Sequence, residues 1–302
     1  MMGRKILIAL GAAAAAAAFV GPLRAIVAPR SLHATPAAVT MRRLFNDSLL
    51  GMSGKLRARF LPPSEAAELQ RALGSASSLQ PLSPADERIA GLTVLPMVPF
   101  GEKIGGRVGL YRMGYWPGET RTVRSGAYEN PLGFVQVTPA NQDLWVSEHF
   151  RLRDFVTKDQ IDVWPKYLVL REALIDKLEL TIAELQSMGY PVTHLAVMSG
   201  FRHPAYNQRG VGRGGRAQDS RHQFGDAADV FADNDRNGMQ DDLDGDGRIT
   251  VRDGNLIIRA VERVEAKFPA LTGGMGRYHA THAHGPFVHV DVRGNPARWG
   301  GA

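Results

Sequence analysis

The chain has 302 residues, 44% hydrophobic and 22% charged, which suits one large or two small folded domains. It has no cysteine, which excludes disulfide staples, thiolate zinc sites and a thiol nucleophile. The formal net charge is +6, and a basic protein can meet several anionic polymers. The basic residues are spread along the chain without a nucleic-acid-binding signature, so no nucleic acid is expected as a partner.

Arg4 and Lys5 precede an unbroken apolar run over residues 6–20, followed by Pro22 and Arg24. Positive residues ahead of a short apolar stretch are the layout of a secretory signal peptide. The run is shorter than the ~20 residues that span a bilayer. Residues 1–28 therefore read as a signal peptide or membrane anchor, and the chain as exported to the periplasm or cell envelope. Residues 29–90 read as linker plus helices. Within them Ser64 can cap a short helix through Leu73, with Glu65 in its first turn and Gly74 at its end. The run A-S-S-L-Q-P-L-S-P then reads as a hinge.

Over 91–145 short apolar runs alternate with Gly and Pro, which predicts strands in a small β-rich module. Tyr111, Tyr115 and Trp116 are expected to be its core and edge rather than a sugar-stacking surface. A new segment opens near Glu148 and His149, the latter read as a packing histidine. A helix is expected over 166–188, because Leu170, Leu174, Leu178, Ile182 and Leu185 recur every three or four residues before Gly189. H-L-A-V-M-S then reads as a buried strand, and 199–220, rich in Gly and Arg, as an exposed mobile loop. Arg202 stands just past the strand end. It reads either as a pocket guanidinium able to grip a carboxylate or polarise a carbonyl, or as an ordinary exposed arginine.

The stretch S-R-H-Q-F-G-D-A-A-D puts His222 seven residues before Asp229, and F-V-H-V-D supplies His289 and Asp291 downstream. Seven residues is too wide for one helix face in the manner of H-E-x-x-H and suits a turn feeding a strand. A spacing of two puts His289 and Asp291 on one face of a strand. Two imidazoles and one carboxylate suffice for a catalytic zinc with an open fourth position. Asp291 can serve as general base or as an outer partner that orients a ligand histidine. One histidine alone more often packs than ligates; the combination carries the reading.

The ordered motifs S-G-F-R-x-P-x-x-N (199–207), S-x-H-x-x-G-x-A-x-D (220–229), G-G-x-G-x-Y (273–278), F-V-H-V-D (287–291) and the terminal R-W pair (298–299) give a specific resemblance. The chain resembles the zinc D-Ala-D-Ala carboxypeptidase and murein endopeptidase family, whose metal core is shared with hedgehog-type domains. The resemblance covers roughly the last half of the chain. It implies a zinc peptidase acting on peptidoglycan stem peptides, with His222, Asp229 and His289 matching the metal ligands and Arg202 the substrate arginine. Ser220 and Tyr278, within the same motifs, are read as further substrate-binding positions. Many members carry an acidic general base three positions before the last histidine, where this chain has Pro286. The base role is therefore assigned to Asp291, with His284 and Tyr278 in reserve. The alternative function is a non-catalytic cell-wall-binding module that keeps the metal.

Between the second and third ligands lies D-L-D-G-D-G-R-I-T-V-R-D. Asp242, Asp244, Asp246, the Arg248 carbonyl and Asp253 fit positions of an EF-hand-type loop, which predicts a structural calcium ion. An overlapping frame starts at Asp233 with Asp235 and Asn237 and shares Asp244, so one ion or two are expected over 233–253. The fold class expected is α+β. It comprises a zinc peptidase domain over 146–302 with an antiparallel sheet, flanking helices and this calcium insert, preceded by the β-rich module and the N-terminal helical segment.

Overall fold

The computed structural model describes residues 49–76, 91–123, 125–212 and 215–300. The expected signal segment and the hinge run after Ala76 lie outside them. The described chain is a mixed α+β structure. In order it forms β1 (Ala58–Leu61), α1 (Pro63–Ala76), β2 (Thr93–Pro96), β3 (Val98–Pro99), β4 (Arg107–Val108), β5 (Tyr111–Arg112), β6 (Gly133–Val137) and β7 (Lys166–Leu168). There follow α2 (Glu172–Ser187), β8 (Leu195–Ser199), α3 (Pro204–Gln208), β9 (Ala227–Ala232), α4 (Val251–Lys267), β10 (Gly274–Tyr278), β11 (Phe287–Asp291) and β12 (Ala297–Trp299). No helix among the described residues is long and apolar enough to cross a membrane.

Five strands form the main sheet in the order β12-β10-β11-β9-β8. All its pairings are antiparallel except the parallel β10–β12 contact. Strands alternate their side chains between two faces. Ala228, Val230, Val288 and Val290 join one hydrophobic cluster with Leu174, Leu178 and Ile182 of α2 and Ile257, Val261 and Val264 of α4. The helix pair therefore covers one face, and the polar residues of the same strands are left for the other. The apolar stripe of α4 follows from its sequence, and its start is fixed by a reciprocal cap between Thr250 and Asp253.

Three local expectations change. The helix expected over 166–188 begins only at Glu172, because Lys166–Leu168 pairs with β6 as a strand (Val135 opposite Leu168). The first helix starts at Pro63, where a missing N–H costs nothing, and runs through Gly74 to Ala76. Within the region read as linker plus helices, Ala58–Leu61 is a strand that pairs parallel with β2.

Tyr111 and Trp116 are fully buried, while Tyr115 is exposed, so the first two belong to the core as expected. That core is shared: Tyr111, Trp116 and Phe134 lie in the same cluster as Phe155, Leu178 and Val288, across the boundary expected at 145/146. The strand pair β6–β7 also crosses it. His149 packs as expected, its Nδ1 2.7 Å from a carboxylate oxygen of the fully buried Glu179.

Candidate metal centre

The register of the main sheet builds the centre. Ser199 stands opposite Asp229, Asp229 opposite His289, His289 opposite Gly276, and Gly276 opposite Trp299. These five positions form one row across five strands, on the face that the helices leave open. Period-two alternation puts a carboxylate and an imidazole side by side without any loop to place them. Gly276 is required in the row. A Cβ there would collide with the Trp299 indole nitrogen, so only glycine lets that ring fold back to 5.1 Å from the His289 ring.

His222 arrives from the side, on a single 3-10 turn (Arg221–Phe224) that runs straight into β9. Gly225 ends that turn with φ 67°, and a Cβ there would strike the Val169 carbonyl. Both constraints call for glycine. Gly225→Ala is therefore expected to cost about 2 kcal/mol or more, read as a lower urea midpoint; an unchanged midpoint would contradict this account of the turn. The buried Arg221–Asp226 ion pair braces the same turn.

The three predicted ligands converge. His222 Nε2 lies 3.2 Å from Asp229 Oδ1 and 3.1 Å from His289 Nδ1, and His289 Nδ1 lies 2.9 Å from Asp229 Oδ1. All three residues are buried. The outer nitrogens are already committed. His222 Nδ1 donates to the Gly200 carbonyl at 2.7 Å, and His289 Nε2 faces Asp291 Oδ2 at 3.1 Å. A carbonyl only accepts, so Nδ1 of His222 carries the proton and Nε2 turns its lone pair inward.

Burial pushes the His222 imidazole down to about 4, aided by Arg202 and His289 against the pull of Asp229. Burial alone would raise the Asp229 carboxyl, but His222, His289 and Arg202 outweigh it and hold that group well below the usual carboxylate range. Burial likewise opposes a charged His289, but its hydrogen bonds to Asp229 and Asp291 prevail and raise it. Three possible ligand atoms thus share the inner space. This is a donor set that a divalent cation fits. The outer contacts from Gly200 and Asp291 are those that orient metal-binding imidazoles.

The centre opens into a cavity of about 540 Å³ lined by Arg202, Ser220, Tyr278, His284, Trp299 and others. Arg202 is brought to the site but is partly committed. Its Nη2 pairs with Asp229 Oδ2 and its Nε donates to Ser199 Oγ at 2.7 Å. Tyr278 stacks on Phe287 with centroids 4.5 Å apart, and its hydroxyl accepts from Trp299 Nε1 at 2.9 Å. Ser220 leads into the His222 turn.

Asp291 is placed differently from the general base assigned to it. It is fully buried, behind His289 rather than beside the cavity. Its carboxylate accepts from Gly274 N at 2.7 Å and Arg293 Nε at 2.9 Å, besides facing His289. Burial would raise this carboxyl, but His289 and Arg293 hold it far below the normal range, so it is a poor proton acceptor. Of its two predicted roles, the structure supports orientation of His289.

The loop expected over 199–220 is not uniformly exposed. Phe201, His203 and Asn207 are buried, and α3 interrupts it. His203 accepts from Tyr206 N at the start of α3, and Asn207 Nδ2 donates to the Ala217 carbonyl at 2.9 Å, folding the loop back on itself. Ser199, Gly276 and Trp299 belong to the motifs that carry the resemblance, without a role assigned there; the sheet register gives them one, as neighbours of the ligands in a single row.

In the insert after β9, Asp242, Asp244 and Asp246 bring carboxylate oxygens within 4.8 Å of one another. Asp233 and Asp235 do so with Asp241, not with the Asp244 expected to be shared. Asn237 is tied to the same pair, its N–H to Asp233 and its amide to Asp235. Asp253 departs from the expected ligand set. It is buried and accepts from the backbone N–H groups of Leu243 and Thr250, each at 2.8 Å, as the cap of α4. No contact among the described residues bears on the Arg248 carbonyl; the Arg248 N–H donates to Asp246 at 2.9 Å.

Set against protein-family models, curated proteins and solved structures, the chain matches none of them. Its fold and site define a mixed α+β protein with a buried His222–Asp229–His289 cluster able to hold a metal ion.

Proposed function

We propose that the chain is an exported zinc-dependent peptidase that hydrolyses an amide bond in peptidoglycan stem peptides or cross-links. The observation that carries this reading is the convergence of His222 Nε2, Asp229 Oδ1 and His289 Nδ1, with both outer imidazole nitrogens engaged. Two imidazoles and one carboxylate are a zinc set that leaves a position for substrate or water. When bound there, zinc supplies Lewis acidity that polarises a carbonyl and acidifies water.

The chain's own groups do the rest. Asp291 and the Gly200 carbonyl hold the two imidazoles in their ligating tautomers. Arg202 fixes Asp229 and presents positive charge to a substrate carbonyl or carboxylate. The base role passes to His284, which lines the same cavity. Its Nδ1 faces the Gly285 carbonyl at 2.8 Å, so in the neutral ring Nε2 is the basic nitrogen. It takes a proton from the attacking water and returns it to the leaving amine.

The test is release of D-alanine from a synthetic stem peptide ending in D-Ala-D-Ala. A chelator should stop it and zinc restore it. His284→Ala should lower turnover by about 100-fold or more with zinc content unchanged; full turnover in that variant would remove His284 from the role. The second reading, a wall-binding module, is favoured by the commitment of Asp291 and by Pro286 at the position where the resembled family carries its acid. Zinc-loaded protein that binds but never cleaves such peptides would establish it.

The acidic insert is proposed to hold calcium as a brace beside the site. Clustered carboxylates repel one another without a cation. Millimolar calcium should then raise the melting temperature by several degrees, and no shift would count against the ion.

A further inference from the structure

A second cavity, of about 580 Å³, lies against the metal pocket. Two short segments divide them. Arg202 and His222 face the metal pocket, Pro204 and Gln223 face the second cavity, and Asp219 lines both. The wall on the far side comes from β4 and β5, which contribute Arg107 and Arg112. Antiparallel register sets these two arginines directly opposite each other. Like charges so placed repel, and neither is neutralised here. Among the described residues Arg112 makes no side-chain hydrogen bond or ion pair, and Arg107 only donates from Nη1 to the Leu110 carbonyl at 2.9 Å. The one carboxylate of the wall, Asp219, is paired with Arg121. Two uncompensated guanidinium groups, held side by side on a hairpin over a cavity, form a fork for an anion with two oxygens.

We propose that this cavity is an anion subsite, which holds a free carboxylate of the same wall peptide whose scissile amide reaches the metal centre. The identity of the ligand rests on the peptidase reading; the subsite itself rests on the arginine pair and the shared wall. Arginine forks take carboxylate and phosphate alike; the carboxylate is assigned because the peptidase reading places one on the same wall peptide.

The test is calorimetric binding to the full, zinc-loaded chain. The probes are two synthetic stem peptides whose terminal amide is N-methylated to resist cleavage, one with its internal carboxylates free and one with them amidated. The wild-type chain should bind the free acid about tenfold more tightly than the amide. The Arg107→Ala/Arg112→Ala variant should lose that preference while keeping its melting temperature, since both side chains are exposed. Equal binding of the two peptides by wild type overturns the inference, as does a preference that survives in the variant. Inorganic phosphate that displaces the acid peptide at lower concentration than acetate does overturns the carboxylate assignment. A preference lost in the variant, in a chain that cleaves no unmethylated peptide, retires the peptidase reading and leaves the subsite standing.

Discussion

His222→Ala is expected to take the chain from one tightly held zinc ion at this centre to none, with affinity falling more than about 100-fold, the upper range for loss of a mere orienting partner. The reason is geometric. His222 Nε2 is one of three inward atoms, and the other two sit on adjacent strands with no fourth side chain in the row to replace it. Asp291→Asn should lose less, about 10- to 100-fold, because it disturbs only the outer nitrogen of His289. Competition with a chromophoric chelator measures both. The wild-type chain should also melt higher with zinc than without, as binding to the folded state alone requires, and His222→Ala should show no such difference. Equal zinc affinity in wild type and His222→Ala would remove His222 from the ligand set.

Glu265→Ala is expected to be strongly destabilising although the residue lies outside the metal centre. Lys177 is fully buried, with Nζ 2.7 Å from Glu265 Oε1 and 2.7 Å from the Asp291 carbonyl. The other carboxylate oxygen of Glu265 takes Arg298 at 2.6 Å, and the Gly273 N–H donates to Oε1 at 2.8 Å. This carboxylate and its lysine therefore tie α2, α4, β11 and β12 together beneath the site. Removing it strands a buried ammonium, which costs about 3–5 kcal/mol. Burial already pushes Lys177 below its usual range, so the lysine sheds its proton more readily in the variant and the loss lies toward the lower figure. Denaturation in urea reads this directly; a loss below about 1 kcal/mol would mean the pair is not the tie described. The same variant should loosen β12 and with it the Trp299 ring over His289.

The three ligands are legible through the ordered motifs of the resemblance rather than from any one local pattern. Pairing of β9 with β11 sets Asp229 beside His289, and the Gly225 turn brings His222 in. Asp291 was legible in position but not in role. Spacing put it on the face of His289, yet only the tertiary contacts with Arg293 and Gly274 show its carboxylate to be fully used. Ser199, Gly276 and Trp299 stand in the motifs, but their part in the site depends on strand order, and β12 returns parallel beside β10 in a way no local pattern announces. The helix α2 begins later than its leucine spacing suggests, because Leu170 continues that spacing backward beyond Glu172. Pairing of Lys166–Leu168 with β6 overrides it. One core crosses the boundary expected at 145/146, since the apolar residues of short strands do not reveal which neighbours they meet. In the insert, the twelve-residue spacing singled out Asp242, Asp244 and Asp246 correctly as a group. It could not show that the α4 cap claims Asp253 or that Asp241 joins Asp233 and Asp235.

The measurement that bears most directly on the central claim is digestion of purified cross-linked muropeptides, followed by mass spectrometry, with zinc, with a chelator, and with His222→Ala. The account predicts zinc-dependent products absent from the other two reactions. Loss of a terminal D-alanine would mark a carboxypeptidase, and conversion of dimers to monomers an endopeptidase. Folded, zinc-loaded protein that yields no product from any muropeptide would contradict it.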